Sequence, residues 1–470
     1  MTATTTLQPA VEALELDRPT APEHESAPAT GSEPSPPDTG LSRAEAKTRH
    51  LQLASVGFSF LVAGVNDGSI GALLPYVLRE YRISTAIVSS IYGASFVGWL
   101  TAALTSTHLC QHLDLGAVLA VGALCQVAAH ALRAWGPPLG LFTASFALAS
   151  LGQAFQDTQG NTLVAASKGA AHRWLALIHA SYMAGCLVGP FVATAVAASG
   201  GRVSRWYLFY AFPLGLGVAN LVAVFVAFRG SIRLRRQTAP AVSQSRSLQD
   251  GSGSSYAQGR EATAGDRSAA SLIQATLAMP SVWLLCTFFF FYLGSVLTAS
   301  GWVVEYLVDV RHGNLSQMGY VPAGFNGGAL LGRLLLAEPT HRFGERNMVL
   351  FYTLSAIALQ LVFWLVPNII AASIAVSLIG FFTGPLFATG ISLGSKLFPP
   401  HLHSTALAFV FVFAQMGGSL FPIVTGLVSA RASVTVLQPI LTGLLSATAI
   451  SWILVPRPKS SPNSGALHQE

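Results

Sequence analysis

From Leu51 to about residue 456, one apolar segment follows another, each long enough to cross roughly 30 Å of hydrocarbon. Twelve can be placed: about 51–77, 85–109, 115–134, 139–164, 174–199, 206–228, 280–306, 316–337, 347–366, 369–396, 404–430 and 435–455. Nothing else in the chain restricts its fold so strongly. In lipid every backbone N–H and C=O must be bonded internally, so segments of this length must be helices. Only 10% of the 470 residues are charged and 52% are hydrophobic, against about 25% charge in a soluble domain. The prediction is an all-α membrane protein of twelve transmembrane helices.

Segments six and seven are separated by residues 229–278, rich in Ser, Ala, Gly and Arg, which read as a flexible linker. This gives two six-helix halves, 51–228 and 279–456. Residues 1–50 lack the apolar content to offset chain entropy and read as a disordered tail. They have no signal-peptide pattern. Residues 457–470 form a second tail. An even number of spans puts both tails and the linker on one side. Seventeen Lys and Arg residues then fall on that side and seven on the other: Arg79, Arg82, Arg133, Arg202, Arg205, Arg311 and Arg431. That bias predicts cytoplasmic termini in a multi-pass protein of the plasma membrane, with the vacuole or another internal membrane as the alternative. The sequon at Asn314 lies in a short outside loop and is read as chance. The halves echo each other: Gly185 is followed five residues on by Pro190, and Gly417 by Pro422. Small residues let helices approach, and proline bends them.

Within the fourth segment lies GQAFQDTQGN, residues 152–161. It puts Gln153, Gln156, Gln159, Asn161 and the carboxyl of Asp157 where a span should be apolar. A charged side chain near a span centre costs roughly 3 kcal/mol or more. The stretch is therefore expected to face a protein-lined or water-filled cavity.

Two further acids fall within segments: Asp67 in the first, beside Asn66, and Glu305 in the seventh. Asp67 and Asp157 are the proton-coupling candidates, because a carboxyl in a cavity of low dielectric can take up a proton on one side and release it on the other. The other reading is a carboxylate held permanently by a cation or by helix amides. No Lys or Arg is expected at their depth in the first six spans. Asn66, Gln153, Asn161, His179, Tyr182, Trp302, Glu305, Asn326 and Gln415 are the candidate solute contacts. His179 and Tyr182 are spaced i, i+3 and share a helix face, as do Trp302 and Glu305. Span histidines also serve as packing residues, and Trp near a span end as an interface anchor. Near the end of the eighth segment, GRLLLAEPTHRFGER carries Arg333, Glu338, Arg342, Glu345 and Arg346. They are expected to form an ion-pair network that biases which side is open, or to act only as topological charge.

Other chemistries lack their residues. There is no GxxxxGK[ST] loop, HExxH or GxSxG. The four cysteines, Cys110, Cys125, Cys186 and Cys286, have no metal-ligand spacing and read as small core residues. No catalytic residue, metal or cofactor is expected. The net charge of +6 lies next to spans, with no basic stripe for nucleic acid.

Residues 50–456 resemble the major facilitator superfamily, and more closely its fucose-permease-like branch with fungal relatives. GVNDGSIGALLPY (64–76) is similar to that branch's Asn-Asp signature, and DTQGN (157–161) to its acid-Thr-x-x-Asn element. HASYMAGCLVGP, GRLLLAEPTHRFGER, GPLFATGISLGSKLFP and GGSLFPIVTG also fit. The resemblance implies the major facilitator fold and proton-coupled movement of a small polar organic solute by alternating access. It implies acid roles for Asp67 and Asp157 and a solute-binding role for Asn161. Span four carries Asp where the sugar permeases carry Glu. The loop at 108–118 keeps only Asp114 and Gly116 of the usual gating motif. Related fungal proteins include exporters of secondary metabolites. A monomeric secondary transporter for a sugar-like solute or a secondary metabolite, symporter or antiporter, in contact with protons and membrane lipid, is expected. A non-transporting sensor on the same scaffold is the alternative; it would require a structured signalling domain in a tail or the linker. An intramembrane enzyme is a third, and it lacks a catalytic set.

Overall fold

The computed structural model describes residues 43–165, 171–199, 204–232, 269–399 and 402–456. Most of the two predicted tails, most of the linker, and loop cations such as Lys168 and Arg202 lie outside these residues. By its contacts the chain divides into residues 1–46 and 47–470. Of the former only 43–46 are described, as the first residues of a helix. The latter holds the helical bundle and its cavity.

Among the described residues the chain is helical, with no strand. The first set of helices comprises α1 (Arg43–Tyr81), α2 (Thr85–Val88), α3 (Ser90–His112), α4 (Leu115–Arg133), α5 (Leu139–Ala165), α6 (Ala171–Ser199) and α7 (Ala211–Ala227). The second comprises α8 (Ala269–Leu277), α9 (Pro280–Asp309), α10 (Leu315–Met318), α11 (Val321–Leu335), α12 (Ala337–Phe343), α13 (Glu345–Leu365), α14 (Ile369–Thr383), α15 (Leu386–Leu397), α16 (His403–Ala432) and α17 (Leu437–Leu454). Among the described residues, ten helical stretches are long and apolar enough to cross a membrane. The other two predicted segments are helices that fall short of that measure. The glutamines of 152–161 dilute the apolarity of α5. Helix α11 has 15 residues, about 22 Å at 1.5 Å per residue. Several boundaries differ from those expected of the sequence, among them the breaks between α2 and α3 in the second predicted segment and between α10 and α11 in the eighth. Helix α1 starts at Arg43, inside the predicted tail, and α8 lies inside the predicted linker. The tenth predicted segment breaks between α14 and α15 at Gly384-Pro385, where proline has no N–H to continue the helical ladder. Outward-facing side chains such as Leu104, Leu365 and Ile370 are strongly exposed, as a surface solvated by lipid requires.

The Gly–Pro echo has a packing cause. A Cβ at Gly185 would lie 2.1 Å from the Leu61 carbonyl oxygen, and one at Gly417 would lie 2.0 Å from that of Phe290. So α6 crosses α1 backbone to backbone, and α16 crosses α9 in the same way. Pro190 and Pro422 lie inside those crossing helices. Gly64 reciprocates from α1, its Cβ position 2.0 Å from the Tyr182 carbonyl oxygen.

The two sets meet mainly through α6 against α11 and α16 against α2 and α3. Close approaches between them, Gly71 to the Ser300 carbonyl and Gly301 to the Tyr92 hydroxyl (each 2.0 Å from a Cβ) and Gly426 to Ser89 (2.5 Å), lie in the C-terminal halves of α1, α9 and α16. Thr85 Oγ1 donates to the Gly426 carbonyl there, at 2.9 Å. The largest apolar cluster sits at the same end and draws Trp206 and Tyr210 from the first set, Trp302 and Tyr306 from the second. Beyond these contacts the sets line a shared cavity.

Candidate functional site

The cavity measures about 200 Å³ and is lined by α1, α3, α5 and α6 on one side and α9, α11, α15 and α16 on the other. Asp67 reaches it from α1 and Asp157 from α5. Asp67 accepts three hydrogen bonds. Gln153 Nε2 (2.7 Å) and the Tyr182 hydroxyl (2.9 Å) donate to Oδ2, and Asn66 Nδ2 (2.9 Å) donates to Oδ1. The Gly64–Tyr182 contact between α1 and α6 brings the tyrosine into range. Asp157 has no hydrogen-bond or ion-pair partner among the described residues. Gln153 and Asp157 are spaced i, i+4, so α5 presents both on one face.

The rest of the polar stretch does not line the cavity. Gln156 is buried against α4 and α7: it accepts from Gln126 (2.7 Å) and Asn220 (3.3 Å) and donates to the Leu119 carbonyl (3.1 Å). Gln159 turns to Cys110 of α3. Half of the predicted polar face is thus glue between helices, where amides meet one another's donors and acceptors instead of water.

Arg133 corrects the charge reading. Assigned by sequence to the outside loops, it is fully buried, at 0% exposure, on the last turn of α4. Its Nε and Nη2 donate to Ser145 Oγ (2.7 Å) and the Ser145 carbonyl (3.0 Å). Its guanidinium carbon lies 3.6 Å from the centre of the Phe146 ring. Its Nη1 donates to Asn66 Oδ1 at 2.8 Å. A cation therefore stands behind Asp67, one amide away. There is no direct ion pair: Asn66 separates the two charges, and Asp67 keeps its place in the cavity wall.

Of the other predicted solute contacts, Gln153, His179, Tyr182, Asn326 and Gln415 line the cavity. The His179 ring meets Phe60 edge-on, 5.5 Å between centres. Asn326 Nδ2 donates to the Cys186 carbonyl at 3.0 Å and ties α11 to α6. Asn66, Asn161, Trp302 and Glu305 are not on the wall. Asn66 bridges Arg133 and Asp67, and Asn161 lies one turn past Asp157. Trp302 is fully buried, its Nε1 donating to the Pro422 carbonyl at 3.1 Å. That bond fastens α9 to α16, and the Trp302–Glu305 pair does not line the cavity.

The predicted ion-pair network is not formed. Arg342 pairs with Glu338 one turn away at 2.9 Å, and both side chains are about 70% exposed. Glu345 pairs instead with Lys396 (2.8 Å) and accepts from Ser392 (2.7 Å) on α15. Arg346 donates to the Ile453 (2.7 Å) and Val455 carbonyls at the end of α17, groups that no helical N–H can reach. Arg333 leaves the group altogether and lines the cavity. The aromatic wall of Tyr92, Trp99, Tyr292 and Phe387 was not foreseen. Aromatic residues are so common in spans that spacing alone does not separate them.

Residues 56–422 and 340–469 match the sequence model of the Major Facilitator Superfamily. A protein of Saccharomyces cerevisiae, "Bypass of stop codon protein 6", is 25% identical over 426 residues, covering 87% of this chain and 82% of its own length. The fold is similar to that of a mutant of the nucleoside transporter NupG, at TM-score 0.65 and 13% identity, covering 87% of this chain and 100% of that one. It is also similar to a bacterial homologue of the human lysosomal transporter Spinster in an inward-facing, unoccupied conformation. There the TM-score is 0.62 at 12% identity, with 87% of this chain and 95% of that one covered.

Proposed function

This chain belongs to the Major Facilitator Superfamily, and we propose that it moves a small polar organic solute across its membrane by alternating access, coupled to protons through Asp67 and Asp157. It is a multi-pass membrane transporter of the general kind; the coupling, the solute and the membrane are the proposal. One observation carries it: two carboxyl side chains from different helices lie on the wall of one cavity that both sets of helices share. One is held by three donors and the other has none among the described residues. Such inequality gives the two carboxyls different proton affinities, since hydrogen-bond donors favour the charged form of one and burial without donors the neutral form of the other. Rocking of one set against the other is supported by tight contacts at one end of the cavity. Interfaces of this kind are bistable rather than continuously deformable. A fucose-permease-like solute, sugar-like or a secondary metabolite, and a plasma-membrane location with cytoplasmic termini remain part of this reading.

The test is solute flux into proteoliposomes driven by a pH jump, with a panel of labelled sugars and metabolites. Asp67→Asn and Asp157→Asn are expected to keep solute exchange but lose accumulation against a gradient. Unchanged proton-driven accumulation in both variants would remove the coupling assignment.

A further inference from the structure

The cavity has one feature that proton coupling does not use. Arg333, on the last turn of α11, is the one Lys or Arg on its wall among the described residues. Its Nε is anchored by the Gly384 carbonyl at 3.0 Å, where the chain breaks between α14 and α15. Its guanidinium carbon lies 5.7 Å from the centre of the Phe387 ring. It makes no ion pair with any described carboxylate. Arginine stays charged at any accessible pH, and a lone cation at membrane depth is costly without a counter-charge. Arg133 meets that demand inside the protein. Arg333 does not, and it faces the cavity across from the acids of α1 and α5.

Resting on the transport reading, we propose that the solute carries a single carboxylate, which the Arg333 guanidinium binds, on a compact apolar or aromatic body. The anchored Nε fixes the plane of the fork, leaving the terminal nitrogens for a planar oxyanion; such charge-assisted, bidentate bonds are roughly twice as strong as neutral ones. Phe387 and the Tyr292 ring flank the site and supply apolar surface, and the Tyr292 hydroxyl also meets the guanidinium. The charge count fixes the valence. One guanidinium faces two carboxyls, so a monoanion is balanced when both acids are protonated, whereas a dianionic phosphate ester leaves an excess of negative charge even then. A volume of about 200 Å³ suits a solute of one ring or a short chain.

The experiment is equilibrium binding to the purified full-length protein with no proton gradient. Labelled benzoate and hexanoate are the probes, and benzamide, hexanamide, phenyl phosphate and glucose are the competitors. At least one carboxylate is expected to bind about tenfold or more tightly than its matched amide, the range given by a hydrogen bond to a charged group. It is also expected to outcompete phenyl phosphate and glucose. Arg333→Gln abolishes the preference, and Arg333→Lys, which keeps the charge but loses the fork, reduces it. Arg342→Gln, an exposed arginine outside the cavity, leaves it unchanged and reports intact folding. Equal binding of acid and amide in the native protein, tighter binding of glucose or phenyl phosphate, or a preference that survives Arg333→Gln would overturn the proposal. The two readings fail separately. Arg333-dependent carboxylate binding without pH-driven flux leaves this site standing and removes the coupling. Flux of neutral solutes alone does the reverse.

Discussion

Replacing Arg133 by methionine tests whether the buried cation holds Asn66 and, through it, Asp67. Methionine retains much of the apolar stem against Phe146 and removes the fork. Two acceptors then lose their arginine donor in places water does not reach, Asn66 Oδ1, in a residue 4% exposed, and Ser145 Oγ, in a residue 1% exposed, while the Ser145 carbonyl keeps its helical N–H. Each orphaned buried acceptor costs about 1–3 kcal/mol, or about 2–6 kcal/mol for the pair. Relief from no longer burying a guanidinium acts in the opposite direction. The net expectation is about 2–4 kcal/mol of lost stability. A double-mutant cycle isolates the bridge. Asn66→Ala is expected to cost about 1–3 kcal/mol less in the Arg133→Met background than in the native chain. The assay is unfolding in mixed micelles followed by thiol labelling, since Cys186 and Cys286 are free and almost fully buried. A functional readout accompanies it. Arg133 occupies Asn66 Oδ1 and so aims Nδ2 at Asp67; without it the amide is free to turn, and pH-driven flux should fall. Additive costs within about 0.5 kcal/mol, or a stable Arg133→Met protein with undiminished flux, would refute the bridge.

The helix crossings and surface ion pairs carry expectations of their own. Gly64→Val, and equally Gly185→Val, must push α1 and α6 apart by more than about 1 Å to reach van der Waals distance. This should separate Tyr182 from Asp67 and abolish proton-driven flux, whereas Gly215→Ala, with nothing within 4 Å of the new Cβ, should leave flux intact. Arg346→Ala frees the Ile453 and Val455 carbonyls and should cost about 1–2 kcal/mol in the same unfolding assay. Arg342→Ala, which breaks only an exposed i, i+4 pair, should change stability by less than about 0.5 kcal/mol. Gly71→Val drives a side chain into the Ser300 carbonyl, toward the end where the two sets pack tightly. It should speed modification of a Ser300→Cys thiol by a reagent added on that side; unchanged labelling would show that this contact does not hold the end shut.

The helical fold was legible because length and apolarity act through a rule without exceptions in lipid, the internal satisfaction of the backbone. The Gly–Pro echo was legible for a related reason. Where helices gain little from a hydrophobic effect, close backbone approach is what joins them, and only glycine permits it at Gly185 and Gly417. The acids were legible through the cost of a carboxyl at that depth. What spacing does not carry is helix rotation. Gln153 and Gln156 differ by less than one turn, yet one bonds to Asp67 on the cavity wall and the other closes a network between α4, α5 and α7. Trp302 and Glu305 share a face as expected, but that face is turned to α16 at the tryptophan.

The two misread arginines, Arg133 counted as an outside loop charge and Arg333 placed in an ion-pair network, show what position along the chain misses. Arg133 and Arg333 both stand on the last turn of an apolar helix, where a long side chain reaches either water or the interior. Counting charges by loop assumes the first. The nearby sequence offers a discriminator for Arg133. Phe142, Ser145 and Phe146 begin α5 directly after it, so a short connection returns an aromatic surface and a hydroxyl to the guanidinium. Arg333 has no such return. The residues after it form the exposed helix α12, and its anchor, Gly384, comes from 51 residues further along the chain. The same side chain thus has opposite consequences in the two sets. In the first, protein acceptors and an aromatic face satisfy the cation, and it steadies an acid from behind. In the second it is held by the Gly384 carbonyl and the Tyr292 hydroxyl and makes no direct ion pair, so the positive side of the cavity is built to be completed by what enters it.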